Sequence, residues 1–100
     1  MRAKVRKVKR SVWYEECQTD RPRHDVHAVR YTCTYAIVKF HGERYYVEID
    51  EDDIKDYYGY SRITHNLIEQ LNDDLSGEYI DFYEDEDGDY VLDGDLEDYI

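Results

Sequence analysis

Residues 27–37, HAVRYTCTYAI, alternate with period two. Val29, Tyr31, Cys33, Tyr35 and Ile37 fall on one side and Arg30, Thr32 and Thr34 on the other, which predicts a half-buried strand. After VKFHGE the run RYYVEID alternates again, with Tyr45, Val47 and Ile49 set against Tyr46 and Glu48. His41-Gly42 between the two runs predicts a hairpin whose loop spans about three residues around Gly42. Pairing residue 37 with 47 and 35 with 49 then gathers Ile37, Tyr35, Val47 and Ile49 on one face, and a slip of one residue scatters them.

Upstream, KVRKVKRSVWYEEC carries Val5, Val8, Val12, Trp13 and Tyr14 and predicts a strand over 4–16. The loop QTDRPRHD, with Pro22, returns the chain, so residues 4–50 form an antiparallel meander of three strands. EDDIKDYYGY reads as a linker or short turn. In SRITHNLIEQLNDDLSG, residues Ile63, Leu67, Ile68, Leu71 and Leu75 draw one helical stripe, with Ser61 as N-cap and Gly77 as the stop. EYIDFY then predicts a strand with Ile80 and Phe82 on one side, EDEDGD a turn, and DYVL a returning strand. The expected architecture is a single α+β domain over 1–100: an antiparallel sheet made of a β-meander and a C-terminal strand or hairpin, with one helix packed on it.

Charge changes this picture. The chain of 100 residues has a net charge of −12, which keeps it soluble and opposes compaction. Residues 1–50 hold eleven Lys/Arg and seven Asp/Glu, or +4, while residues 51–100 hold two and eighteen, or −16. The basic residues begin in a strand or arm, residues 1–10, that contains Arg2, Lys4, Arg6, Lys7, Lys9 and Arg10. Those six suggest a charged strand edge, docking on the acidic half of the same chain, or phosphate binding; the first two fit the overall charge better. Apolar runs are too short to span a bilayer and the start lacks a signal-peptide pattern, so the expected location is cytoplasmic, a bacterial host's cytoplasm if the protein is phage-encoded.

Candidate chemistry is sparse. Aligning Gly88 with the glycine of an EF-hand puts Tyr83 and Gly94 where carboxylates are needed. Cys17, His24, His27 and Cys33 are spaced too loosely for a zinc motif, and reduced thiols are expected in a cytosol. No nucleophile elbow, P-loop or dinucleotide turn occurs. The expectation is a protein that is not an enzyme and needs no cofactor or metal.

The acidic half is not a plain solvating tail, because disordered acidic tails are poor in aromatics. This one interleaves Tyr57, Tyr58, Tyr60, Tyr79, Tyr83, Tyr90 and Tyr99 among its carboxylates. Same-face residues on a strand lie about 6.6–6.8 Å apart. Phosphates along one DNA strand rise about 3.4 Å each, so two adjacent strands roughly match that charge density. In size, acidity, tyrosine content and α+β pattern the chain resembles small phage-encoded inhibitors of bacterial defence, the anti-CRISPR proteins and anti-restriction DNA mimics. The resemblance implies a non-catalytic inhibitor that blocks the basic nucleic-acid site of a host complex. The expected partner surface comprises Asp52, Asp53, Asp56, Asp85, Glu86, Asp87 and Asp89, with Tyr57, Tyr58 and Tyr83 as anchors. The partner is then a basic nucleic-acid-binding host protein, with no direct nucleic acid and no membrane; the pattern fixes no oligomeric state. The runner-up is a regulatory interaction module that binds through an apolar or sheet-edge patch.

Overall fold

The computed structural model describes the backbone of residues 1–18 and 26–100 and the side chains of residues 1–12 and 31–100. Among these, the elements in chain order are β1 (Arg2–Gln18), β2 (Val26–Phe40), β3 (Glu43–Ile49), α1 (Glu51–Tyr58), α2 (His65–Leu75), β4 (Tyr79–Glu84) and β5 (Tyr90–Leu92), with a final 3-10 turn at Leu96–Asp98. The strands close into a barrel in the order β1-β2-β3-β5-β4. The pair β3–β5 is parallel and the other pairs are antiparallel. The expected open antiparallel sheet is therefore wrong. Arg2–Lys4 pairs back onto Tyr79–Asp81, and β5 enters between β3 and β4 instead of extending an edge. Closure removes the sheet edges that an open meander would expose. Both helices, α1 and α2, lie in the connection between β3 and β4.

The β2–β3 hairpin differs from the expectation by one residue. Phe40 pairs with Glu43 across a two-residue turn. His41 and Gly42 have φ of 51° and 82°, the positive values that a type I′ turn requires at both central positions. A turn one residue shorter moves the whole register, so Ala36 faces Val47 and Thr34 faces Ile49. The inward row of β2 is Thr34, Ala36 and Val38, each at 0% exposure, and the outward row is Tyr31, Cys33, Tyr35 and Ile37. The more hydrophobic-looking side of β2 is thus the outside of the barrel. Small inward residues are what a narrow interior accommodates.

On β1 the inward residues Val5 and Val8 are three apart, which an unbroken strand would forbid. A bulge between Val5 and Lys7 supplies the extra residue. Asn72 of α2 meets this irregular stretch: its Oδ1 accepts the Val8 N–H at 2.8 Å. The expected helical stripe is present, with Leu67, Ile68, Leu71 and Leu75 buried. The helix starts later than expected, capped by Thr64, whose side chain accepts the Leu67 N–H, and not by Ser61. The supposed linker after β3 is α1. Asp50 caps it by accepting the Asp52 N–H, acids fill its first turn, and Gly59 ends it at φ 74°. Acids at a helix N-terminus offset the exposed N–H groups there.

A single buried cluster joins Val5, Val8, Ala36, Val38, Val47, Ile49, Ile54, Leu71, Ile80, Phe82 and Leu96. β3 covers β2 only over Thr34–Phe40, and β4 covers β1 only over Arg2–Lys4. Beyond these limits β1 and β2 run on as a two-stranded ribbon, paired as far as Gln18 with Val26. The radius of gyration is accordingly 16.0 Å, against about 13 Å for a compact chain of this length. The loop holding Pro22 and His24 lies outside the described residues, as do the side chains of Cys17 and His27.

Removing the acceptor at Asn72 would leave the Val8 N–H without a partner in a buried stretch. Asn72→Ala is expected to cost about 2 kcal/mol by denaturant unfolding. Asn72→Asp keeps the oxygen and should cost much less.

Candidate functional site: an acidic ridge beside a tyrosine face

The carboxylates of the second half do two kinds of work. One set is fixed by backbone N–H groups. Asp53 Oδ2 accepts the Leu96 N–H at 2.9 Å, tying α1 to the C-terminal turn. Asp85 Oδ1 accepts from the N–H groups of Asp87 at 3.0 Å and Asp89 at 2.9 Å, which shapes the β4–β5 turn. Asp98 Oδ2 accepts the Asp95 N–H. The other set, Asp52, Asp56, Glu86, Asp87 and Asp89, is exposed. Of these, Asp52 pairs with Lys55 at 3.1 Å within α1.

The expected contact carboxylates form two groups that Glu48 and Asp50 bridge. Burial raises the pKa of Glu48, and the neighbouring charges of Asp89, Asp85, Asp50 and Glu51 raise it further. Burial also raises Asp53; the Leu96 N–H counters this, and Asp95, Asp50 and Asp56 add to the rise. The carboxylates that act on Glu48 and Asp53 run from the β4–β5 turn, across the end of β3, to α1 and Asp95. Among the described residues neither Glu48 nor Asp53 has an ion-pair partner.

Glu51 behaves in the opposite way. Burial alone would raise its pKa, yet it is held below the ordinary range. Its carboxylate accepts from Arg10 Nε at 2.8 Å, Thr32 Oγ1 at 2.8 Å and Thr34 Oγ1 at 2.6 Å. It joins β1, β2 and α1 at one point, and none of its capacity is left for a partner.

The tyrosine anchors separate as well. Tyr83 stands 48% exposed on the outside of β4. Tyr57 donates to the Ile100 carbonyl at 2.5 Å and stacks edge-on against Tyr58. Tyr58 packs against the core and donates to Asp74 at 2.7 Å, so its role is internal. Burial and that hydrogen bond push its pKa up.

Sequence reasoning missed the outer face of β2 and β3. Register places Lys9, Tyr35, Glu48, Val91 and Tyr83 in one row across β1, β2, β3, β5 and β4. Tyr46, 52% exposed, meets Tyr35 edge-on with ring centroids 5.4 Å apart. Tyr35, Tyr46 and Glu48, together with Tyr31, Cys33, Arg44, Asp89 and Tyr90, line an open groove of about 740 Å³. The Cys33 thiol in it is pushed up to about 11 by burial and by Glu48, Glu51 and Asp89, so it stays protonated at neutral pH and is a poor nucleophile. The alternation over 27–37 separates this row from the opposite face but does not say which of the two points outward. Among the described residues, no group of three or more His, Cys, Asp or Glu is placed to hold a metal ion, and no helix is long and apolar enough to cross a membrane. No protein-family model, curated protein or solved structure matches the chain.

The pKa directions set the pH dependence. Glu48 and Asp53 have raised folded-state values, so their ionisation opposes folding, and that penalty is relieved as pH falls below neutrality. Glu51 has a lowered value, so its contribution survives mild acid and is lost only as pH falls through its folded value. Thermal unfolding should show higher stability at mildly acidic pH than at pH 7, then a collapse below the carboxylate range. At pH 7 Glu48→Gln should raise the Tm, and Glu51→Gln should lower stability by about 2 kcal/mol.

Proposed function

We propose that this protein is a non-catalytic inhibitor that presents its acidic ridge to a cationic nucleic-acid-binding site and occupies it in place of nucleic acid. The observation that carries this reading is the placing of Glu48 and Asp53, whose pKa values burial raises and neighbouring carboxylates raise further, in a row of acids with exposed Asp52, Asp56, Glu86, Asp87 and Asp89. Among the described residues Glu48 and Asp53 have no ion-pair partner, and crowding of that kind lowers stability unless a ligand relieves it. A cationic cleft would supply the missing charge and release the counterions that now screen the ridge.

The ridge stands on closed barrel strands and a capped helix. Its spacing is therefore set by backbone geometry, unlike that of a flexible acidic tail. Asp53, Asp85 and Asp98 hold the frame, which leaves Asp52, Asp56, Glu86, Asp87 and Asp89 as the charges for a partner to read. The likeness in size and charge to anti-CRISPR and anti-restriction mimics suggests that the target is a host defence complex, of the CRISPR or restriction type.

The expected outcome follows from that division. Reversing Asp56, Glu86 and Asp87 to Lys should abolish capture of a nuclease or CRISPR complex from bacterial lysate, with an unchanged circular dichroism spectrum. Wild-type affinity should fall steeply with salt. Full affinity in the triple variant, or a response flat in salt, would remove the ridge from the interface and favour binding through the exposed sheet face.

A further inference from the structure

We propose that the tyrosine groove on the outer face of β2 and β3 receives an arginine-bearing extended segment of the partner, whose guanidinium stacks on Tyr35 and Tyr46 and bonds Glu48 and Asp89. The inference rests on the reading above and adds the chemistry that the partner must present there.

The groove has the parts that such a side chain needs. Its walls are aromatic, with Tyr31, Tyr35, Tyr46 and Tyr90 in the lining. Tyr46 is 52% exposed, and its ring contact is with Tyr35, so a ring face remains open to an incoming group. Carboxylates of Glu48 and Asp89 line the same groove, and among the described residues neither has an ion-pair partner. Arg44 lines it too, and among the described residues it forms no ion pair with either acid. Asp85 adds its negative charge at Glu48.

Arginine fits this arrangement better than lysine. Its planar guanidinium stacks on aromatic faces and offers a fork of donors to a carboxylate, whereas an ammonium is compact and strongly hydrated. Single-stranded nucleic acid would also stack on tyrosines, but it would bring phosphates against Glu48, Asp85 and Asp89. Charge complementarity therefore selects the cationic occupant.

The test uses two disordered peptides of equal length, one with four arginines spaced by Gly-Ser and one with four lysines. Each is titrated at low salt into the full chain while tyrosine ring resonances are followed by NMR. The arginine peptide should bind about fivefold more tightly, the increment expected of one cation–π contact. Shifts should concentrate at Tyr35 and Tyr46, and Tyr46→Ala should erase the preference without disturbing the spectrum elsewhere. Equal binding of both peptides, insensitive to Tyr46→Ala, would overturn the inference while leaving the acidic ridge as a cation-binding surface. Failure of both peptides to bind would sink the ridge reading as well. Preferential binding of an oligonucleotide, or self-association that Tyr46→Ala abolishes, would each assign the groove to another occupant.

Discussion

The seam where β1 meets β4 is the constraint on which the rest depends. The N-terminal ammonium of Met1 donates to the Phe82 carbonyl at 2.9 Å, and the Phe82 N–H returns to the Met1 carbonyl at 2.8 Å. Arg2 lies opposite Asp81 with an ion pair at 3.5 Å, and Lys4 lies opposite Tyr79. The exposed ion pair adds little. The backbone ladder and the burial of Ala3, Ile80 and Phe82 between the two strands matter more. Of the six basic residues at the start of the chain, Arg2 and Arg10 form ion pairs with acids of the second half, Asp81 and Glu51. Closing the barrel there fixes β4, then β5, and through β5 the acidic turn against Glu48.

Much of this was legible in the sequence. The Leu67–Leu75 stripe, the Ile80 and Phe82 alternation and the turn at His41-Gly42 all stand where periodicity placed them. The register did not survive, because period two says that a strand has two faces but not which one is inside. On β2 the volume of a narrow barrel decided the matter and selected Thr34, Ala36 and Val38 over the larger tyrosines. α1 was passed over because Ile54 is its only fully buried side chain. Its signal lay in the ends: Asp50 before three acids, and Gly59 after. Closure and the parallel β3–β5 pair were not written in any local pattern, since both join segments more than forty residues apart.

The site divided in the same way. Carboxylates can be counted in a sequence, but which of them are occupied cannot. Asp53, Asp85 and Asp98 proved to be structural acceptors, and Glu51 a buried junction. Glu48 was invisible as a site residue because it sat in an alternating strand, where a polar outward residue is ordinary. Only the register, which lays it between Tyr35 and Val91, gives it neighbours of the right kind.

A chain with this much negative charge must hold its acids apart from its core and near one another. The fold does so by using the most local bonds available. Asp50 caps α1, Asp85 closes its own turn, and Asp98 folds back on Asp95. Each such bond is made to a backbone N–H within four residues, so the charges are oriented before any long-range packing is asked of them. The tyrosines then serve a surface that aliphatic side chains could not. The rings of Tyr35 and Tyr46 lie on the outer sheet, and tyrosine hydroxyls keep polar partners, Tyr35 accepting from Ser11 and Tyr45 donating to Glu43. Acid and aromatic residues meet on this face because the strand register sets Glu48 directly beside Tyr35, so charge and flat apolar surface share one patch of the sheet.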